Sequence, residues 1–148
     1  MPGNTEVVVI GGGYAGVMAA NRLTRRDDVT VTLINPRPAF VHRIRLHQLV
    51  CGSHDAVADY KEVLADGVRL VVDTVTRIDA AGRGLTLATG GTVGYDYLIY
   101  AVGSGSAEPG VPGAAEFAYP VAGLKDAKRR QLLQARRGET PAAAGRAA

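Results

Sequence analysis

A glycine-rich turn near the N-terminus constrains the fold of this chain more than any other feature. Residues 7–10 are Val-Val-Val-Ile, a run typical of a strand that is buried in a parallel sheet. Glycines follow at positions 11, 13 and 16 with the spacing G-x-G-x-x-G, and a helical pattern begins at once. In such a turn the first glycine permits a tight bend, the second lets a pyrophosphate approach the backbone, and the third lets the helix pack closely on the sheet. The motif therefore predicts dinucleotide binding, with phosphate at the positive N-terminus of the helix.

The segment after the turn predicts a βαβ unit. Apolar residues recur at helical spacing from Tyr14 to Arg25, and a second β-branched strand covers Val29 to Ile34, parallel to the first. Asn35 follows this strand, where dinucleotide-binding folds usually carry an acid that accepts hydrogen bonds from a ribose. Asparagine can still accept and donate hydrogen bonds but carries no charge. The contact is therefore weaker, and the choice between cofactors with and without a 2′-phosphate stays open.

The segment from Phe40 to Leu49 mixes basic and apolar residues and supports two interpretations. Either Arg43 or Arg45 contacts phosphate, or the segment is a surface helix or turn with solvated arginines. The histidines at positions 42, 47 and 54 are five and seven residues apart, a spacing that does not align them on a helix, so we expect no metal site. For Cys51 we expect a small packed residue rather than a reactive thiol.

The rest of the chain predicts further short elements. A helix begins at Ser53 or Asp55 and runs through Leu64, and a third buried strand follows at residues 68–72. Glycine turns then separate short strands of an antiparallel meander, at residues 75–78, 85–88 and 92–93, before a parallel strand from Tyr97 to Val102. Residues 108–120 are expected to form a loop, residues 124–137 a basic amphipathic helix, and the remaining tail to be disordered.

Composition narrows the functional class. The net charge of +3 comes from the C-terminal end, since the segment from Lys125 onward holds seven basic and two acidic residues, whereas the first 124 residues hold ten basic and twelve acidic ones. A nucleic-acid partner of the folded part is therefore not supported. No apolar run reaches the roughly 20 residues that a transmembrane helix needs. One cysteine excludes an intrachain disulfide, and we expect a cytoplasmic protein.

Together these motifs resemble the flavoproteins with two dinucleotide-binding domains, the FAD-dependent pyridine nucleotide-disulfide oxidoreductase superfamily. Gly11-Gly12-Gly13-Tyr14-Ala15-Gly16 is similar to their FAD fingerprint. The segment 92–103, Thr-Val-Gly-Tyr-Asp-Tyr-Leu-Ile-Tyr-Ala-Val-Gly, is similar to their second motif, with Val102 in place of the usual threonine. The segment 75–79 is similar to the one whose backbone reads adenine. Because the chain lacks a redox cysteine pair, it most resembles the branch of type II NADH dehydrogenases and apoptosis-inducing factor.

The resemblance implies a Rossmann-like FAD-binding domain with a parallel central sheet and an inserted antiparallel meander. It assigns the pyrophosphate to Gly11, Gly13, Tyr14, Ala15 and Gly16, and the adenosine ribose to Asn35. It also implies a contact between Arg43 and phosphate, a backbone contact of Val75 with adenine, and a cofactor path lined by Ala101 to Gly103. It implies NAD(P)H as the co-substrate and a quinone or other small molecule as the electron acceptor, and it leaves peripheral membrane contact open. No residue is an obvious catalytic acid, base or nucleophile, as expected for hydride transfer.

Two features of the family do not occur in the sequence: a second G-x-G-x-x-G after residue 16, and a late Gly-Asp strand that completes the FAD domain. We therefore expect residues 1–124 to be a partial FAD-binding domain that is incomplete at its C-terminus, and residues 125–148 to be a basic helix and tail. A truncated gene, a frameshift and a genuinely short protein all remain open. The resemblance implies the function of the FAD-binding portion of an NAD(P)H-dependent oxidoreductase, or alternatively that of a truncated, inactive module that binds only FAD or an adenine nucleotide.

Overall fold

A computed structural model describes residues 4–105, 110–118 and 120–136. The chain divides into two compact units. Unit 1 comprises Met1–Phe40 and Ala58–Gly103, and unit 2 comprises Val41–Val57 and Ser104–Ala148. The expected boundary between a partial FAD-binding domain and a basic tail at residue 124 stays a prediction.

Unit 1 is built on a four-stranded parallel sheet. Its strands, numbered along the chain, have the order β5-β2-β1-β9 and comprise β1 (Thr5–Ile10), β2 (Val29–Asn35), β5 (Val68–Val72) and β9 (Tyr97–Tyr100). Helix α1 (Tyr14–Leu23) connects β1 to β2. The predicted parallel sheet is therefore confirmed, and the predicted helix is confirmed but ends two residues before Arg25, at Leu23.

Both faces of the central strands are covered by apolar side chains. On one face Val9 and Leu33, neither with any exposed surface, pack in a cluster that includes Val17 of α1. On the other face, Val8 and Ile34 pack in a cluster with two leucines from the strand at residues 84–87. A strand that is buried on both faces does not need to alternate apolar with polar residues. This burial explains the continuous apolar runs of β1 and β2.

The predicted antiparallel meander is confirmed. It consists of β6 (Val75–Asp79), β7 (Gly84–Leu87) and β8 (Thr92–Gly94), with β7 in the centre. The next strand, β9, is aligned with β1 by the aspartate that precedes it. The carboxylate of Asp96 accepts a hydrogen bond from the Glu6 N–H (2.8 Å), and the Asp96 N–H donates to the Glu6 carbonyl (2.8 Å).

The helix predicted from Ser53 or Asp55 to Leu64 is wrong in most of its length. The chain forms strand β4 (Val57–Asp59), and only helix α3 (Tyr60–Val63), a single turn, follows it. The Asp55 carboxylate accepts a hydrogen bond from the Val57 N–H (3.1 Å), which favours a turn at this point rather than a helix start. The cap of α3 is Asp59, whose side chain accepts from the Lys61 N–H (2.8 Å).

Unit 2 is mainly helical. Strands β3 (Ala39–Val41) and β4 form a two-stranded sheet, at which the chain passes from one unit to the other. A 3-10 turn (Arg43–Arg45) leads into α2 (Leu46–Val50), and the C-terminal part contributes α4 (Ala114–Phe117) and α5 (Leu124–Arg136). The core of this unit is formed by five buried residues: Val41, Leu46, Val50, Ala56 and Ala127.

The structure tests two predictions for the C-terminal segment, the basic helix and the loop before it. The basic helix is confirmed as α5, although Arg137 and the expected disordered tail lie outside the described residues. The loop expected over residues 108–120 is interrupted by the single turn of α4. No helix in the described ranges is both long and apolar enough to cross a bilayer.

Candidate nucleotide-binding site

The turn after β1 is closed from behind by the end of β9. The Gly11 N–H donates to the Ile34 carbonyl (2.9 Å), and the Ala101 N–H donates to the Ile10 carbonyl (2.8 Å). A Cβ atom on Gly11 would lie 2.6 Å from the carbonyl carbon of Ala101 and 2.9 Å from the Cα of Val102. Gly11 also has φ +102°, a backbone conformation that other residues rarely adopt. The fold of unit 1 thus requires glycine at position 11.

Gly16 brings helix α1 close to this turn. A Cβ atom on Gly16 would overlap the carbonyl oxygen of Gly11 and would lie 3.0 Å from its carbon. The role that the motif assigns to its last glycine, close packing of the helix, is therefore visible in the structure.

Gly12 is held from two sides by buried side chains. Its N–H donates to Oδ1 of Asn35 (3.0 Å), and its carbonyl accepts from the hydroxyl of Tyr60 (2.8 Å). A Cβ atom on Gly12 would lie 2.7 Å from Cζ of Tyr60 and 3.1 Å from the Cβ of Asn35. The peptide groups of this residue are thus fixed by side chains from β2 and α3.

Gly13 differs from its neighbours because the protein does not require a glycine there. A Cβ atom at this position would meet no atom within 4 Å, and the backbone has φ −82° and ψ −167°, which any residue can adopt. Gly13 is exposed and forms the N-cap of α1, and its carbonyl accepts the first helical hydrogen bond, from the Val17 N–H (2.9 Å). The open space lies at the positive end of the helix dipole.

The first turn of α1 is suited to an anion. Within the described part of the chain, no acidic residue occupies this turn and no side chain caps it. The backbone N–H groups of a first turn have no partner inside their own helix. Tyr14 and Ala15 are exposed here, and the Tyr14 ring packs edge-on against Phe40 with the centroids 5.1 Å apart. The helix therefore presents donors and a positive partial charge next to the open position at Gly13.

Tyr60 contacts the glycine turn, a position that the sequence analysis did not predict for it. The residue is 2% exposed, and its ring packs against Phe40 with the centroids 6.4 Å apart. Burial raises the pKa of the Tyr60 hydroxyl to about 12, against a smaller lowering effect of the positive charge of Arg37. The hydroxyl therefore stays protonated and can donate to Gly12 over the whole physiological range of pH.

Asn35, the residue expected at the ribose, is buried and has partners for both of its polar atoms. Its Oδ1 accepts from Gly12, and its Nδ2 donates to the carbonyl of Arg37 (2.9 Å). One lone pair and one N–H of the side-chain amide are not used by these two bonds. The structure thus places Asn35 at the glycine turn, and its contact with a ribose stays a prediction.

The other predicted site residues of unit 1 lie in two places. Ala101 and Gly103 follow β9, and Ala101 forms the back of the turn, while Gly103 has φ +74°. Val75 begins β6, where it is half-buried and packs in the cluster on the opposite face of the sheet from α1. The structure therefore brings Ala101 to the glycine turn and places Val75 in the apolar cluster on the other face of the sheet.

Arg43, the predicted phosphate residue, lies in unit 2 and its guanidinium has backbone partners there. Nε and Nη2 donate to the carbonyl of Ala122 (3.2 and 2.9 Å), and Nη1 donates to the carbonyl of Ser104 (2.8 Å). These bonds give Arg43 a structural role in unit 2, and its contact with phosphate stays a prediction.

The expectation that Cys51 is packed is wrong, because this cysteine is exposed.

Metal ligands do not cluster in the part of the chain that the structure describes. No three histidine, cysteine or acidic residues among residues 4–105, 110–118 and 120–136 are grouped so that they could hold a metal ion.

Known proteins resemble this chain over most of its length. The sequence profile of the pyridine nucleotide-disulphide oxidoreductases matches residues 5–139. The chain belongs to this family. The chain carries the glycine motif on the first strand–turn–helix unit of its parallel sheet, with an antiparallel meander before β9.

Relatives within the family include NADH dehydrogenases. An NADH dehydrogenase-like protein of Mycobacterium tuberculosis is 38% identical over 126 residues, which cover 79% of this chain and 31% of that protein. A type II NADH:quinone oxidoreductase of Staphylococcus haemolyticus is 27% identical over 131 residues, covering 84% of this chain and 32% of that protein. The chain thus spans about a third of the length of the relatives that it matches.

The fold also matches a solved structure. The sulfide:quinone oxidoreductase of Aquifex aeolicus superimposes with a TM-score of 0.76 at 24% identity, over 93% of this chain and 33% of that protein. This likeness supports the Rossmann-like α/β fold, with a parallel sheet and antiparallel strands, that the sequence predicts.

Proposed function

We propose that this chain is the FAD-binding portion of an NAD(P)H-dependent flavoprotein oxidoreductase. The glycine turn and the first turn of α1 would hold FAD, which would supply the chemistry for hydride transfer from NAD(P)H to an acceptor such as a quinone. Two relatives support this assignment, since one is named for NADH dehydrogenase and another for the oxidation of NADH by quinone.

The open position at Gly13 is the observation that carries the proposal. Packing explains the glycines at positions 11, 12 and 16, because a Cβ atom at each would collide with the protein itself. It does not explain Gly13, where a side chain would have room. A glycine that the protein does not need, at the N-terminus of a helix, is expected where a phosphate group must approach the backbone.

The remaining residues receive roles on the same basis. We assign the pyrophosphate to the backbone of Gly11, Gly13 and the first turn of α1, which contains Tyr14, Ala15 and Gly16. The remaining hydrogen-bonding capacity of Asn35 would serve the ribose. The contacts of Val75 with adenine, of Arg43 with phosphate, and of Ala101 and Gly103 with the cofactor rest on the family resemblance.

A calorimetric titration of the full 148-residue chain tests the proposal. We expect FAD and ADP to bind and riboflavin, which lacks the ADP moiety, to bind far more weakly. The variant Gly13→Glu should keep the fold, because the position is open, and should lose both ligands, because a carboxylate there repels the pyrophosphate. Gly110→Glu is the matched control, since Gly110 is also surrounded by open space and belongs to a loop outside the turn.

Three results would contradict the proposal: no binding of either nucleotide by folded wild-type chain, unchanged affinity of Gly13→Glu, or an equal loss of affinity in Gly110→Glu. Binding of ADP with no preference for FAD over ADP would instead favour a module for adenine nucleotides alone. Oxidation of NADH, followed by its absorbance in the presence of FAD, distinguishes an active chain from an inactive one.

A further inference from the structure

We propose that Asn35 and Tyr60 form a clamp on Gly12, and that the main role of Asn35 is to position the glycine turn, while its contact with the ribose is secondary. The inference rests on the proposed function, because it concerns the same nucleotide site. It follows from the partners of the two side chains. Oδ1 of Asn35 is bonded to the N–H of Gly12, and the hydroxyl of Tyr60 is bonded to the carbonyl of Gly12.

The clamp fixes both peptide groups of the residue directly before Gly13. A backbone N–H and a backbone carbonyl that are held by buried partners cannot rotate without leaving polar atoms unpaired. Because the turn connects Gly12 to the open position at Gly13, fixing Gly12 also fixes the orientation of the N–H groups that would meet phosphate. A binding site that is already in its competent conformation loses less free energy when it binds.

An amide suits this position better than the usual acid. Nδ2 of Asn35 donates to the carbonyl of Arg37, while Oδ1 accepts from Gly12, so the side chain needs a donor and an acceptor at once. A carboxylate has only acceptors and would place an oxygen against the Arg37 carbonyl. Asn35 is 7% exposed, so water would not relieve this repulsion efficiently. The departure from the acidic residue is thus explained by the local hydrogen bonds.

The two roles of Asn35 predict opposite effects of Asn35→Asp. If the residue positions the turn, the variant should bind FAD and ADP about threefold to tenfold more weakly. If its main role is to accept hydrogen bonds from the ribose, the variant restores the usual acid and should bind more tightly. Tighter binding, or unchanged affinity, would overturn the proposal.

The second arm of the clamp is tested with Tyr60→Phe, which keeps the ring and removes the hydroxyl. We expect a threefold to tenfold loss of ADP affinity, of the size set by one hydrogen bond. Tyr95→Phe is the matched control, because the Tyr95 hydroxyl also donates to a backbone carbonyl, that of Asp79 (3.4 Å), in the meander. If both variants lose thermal stability but neither loses affinity, Tyr60 has a merely structural role and the clamp is refuted.

Hydrogen exchange of the free chain provides a readout that does not depend on nucleotide binding. The Gly12 amide should be protected from exchange in the wild type. Its exchange should be about threefold to tenfold faster in Tyr60→Phe. In Tyr95→Phe, the exchange rate of the Gly12 amide should stay unchanged. An unprotected Gly12 amide in the folded wild type would refute the clamp even if nucleotides bind. Conversely, a protected amide in a chain that binds no nucleotide would support the clamp and contradict only the proposed function.

Discussion

Gly12 and Gly13 are adjacent, yet their replacement by alanine should have different consequences for folding. At Gly12 the new methyl group would overlap the Tyr60 hydroxyl and lie 2.7 Å from Cζ and 3.1 Å from the Asn35 Cβ. Overpacking of a buried site costs about 1–3 kcal/mol, and loss of the Tyr60 hydrogen bond adds about 0.5–1.5 kcal/mol. We therefore expect Gly12→Ala to lower the free energy of unfolding by about 1.5–4.5 kcal/mol.

At Gly13 the same methyl group meets no atom within 4 Å. Alanine reduces the freedom of the unfolded chain, which is stabilising, and it is a poorer N-cap than glycine, which is destabilising, so we expect a net change within about 0.5 kcal/mol. The variant should nevertheless bind ADP more weakly, because the methyl group occupies the approach of the phosphate.

Urea unfolding followed by circular dichroism measures both free energies, and the slope with urea concentration shows whether the transition remains two-state. Calorimetry then measures ADP affinity for whichever variant is folded. Equal destabilisation by the two alanines would refute the assignment of Gly12 to packing and of Gly13 to the ligand. Full ADP affinity in Gly13→Ala would refute the second assignment alone.

Two further predictions concern sites away from the turn. The hydroxyl of Thr89 donates to the Asp73 carboxylate (2.6 Å) and, together with the Thr74 N–H, lowers the pKa of that carboxyl. The ionised Asp73 carboxylate therefore stabilises the folded state at pH values above its unfolded-state pKa. This stabilisation is lost as the pH falls through the pKa of Asp73 in the folded state. In Thr89→Val, NMR titration should show a higher Asp73 pKa, and an unchanged value would contradict this cause. Cys51 is exposed, so a thiol reagent should modify it in the native chain as fast as in urea; protection in the native chain would contradict the exposure.

The sequence predicts the parts of unit 1 that depend on local pattern. The β-branched runs, the glycine spacing and the meander each carry a signal within a few residues, and the structure confirms them. The hydrogen bond between Tyr60 and Gly12 joins residues that are 48 positions apart in the chain, and no local sequence pattern predicts it. In the sequence, Tyr60 is only one apolar position of an expected helix.

The segment around that tyrosine also shows why the helix prediction failed. Apolar residues at 57, 60, 63 and 64 fit helical spacing, but the pairing of β4 with β3 holds Val57–Asp59 in an extended conformation. Tertiary pairing therefore overrides the periodicity. The partners of Arg43 could not be predicted for a similar reason, since Ser104 and Ala122 lie 61 and 79 residues away in the chain.

The position of β9 beside β1 has a consequence for the order of folding. Ala101, whose carbonyl lies behind Gly11, is synthesised 90 residues after it. At about 5–20 residues per second, the ribosome needs about 5–18 s to extend the chain from one to the other. During that interval β1, α1 and β2 can pair locally, but the turn has no back wall and β1 has an open edge. The glycine turn therefore gains its back wall late, when β9 is added, and a nascent chain that is arrested before β9 would display the whole glycine motif without that wall.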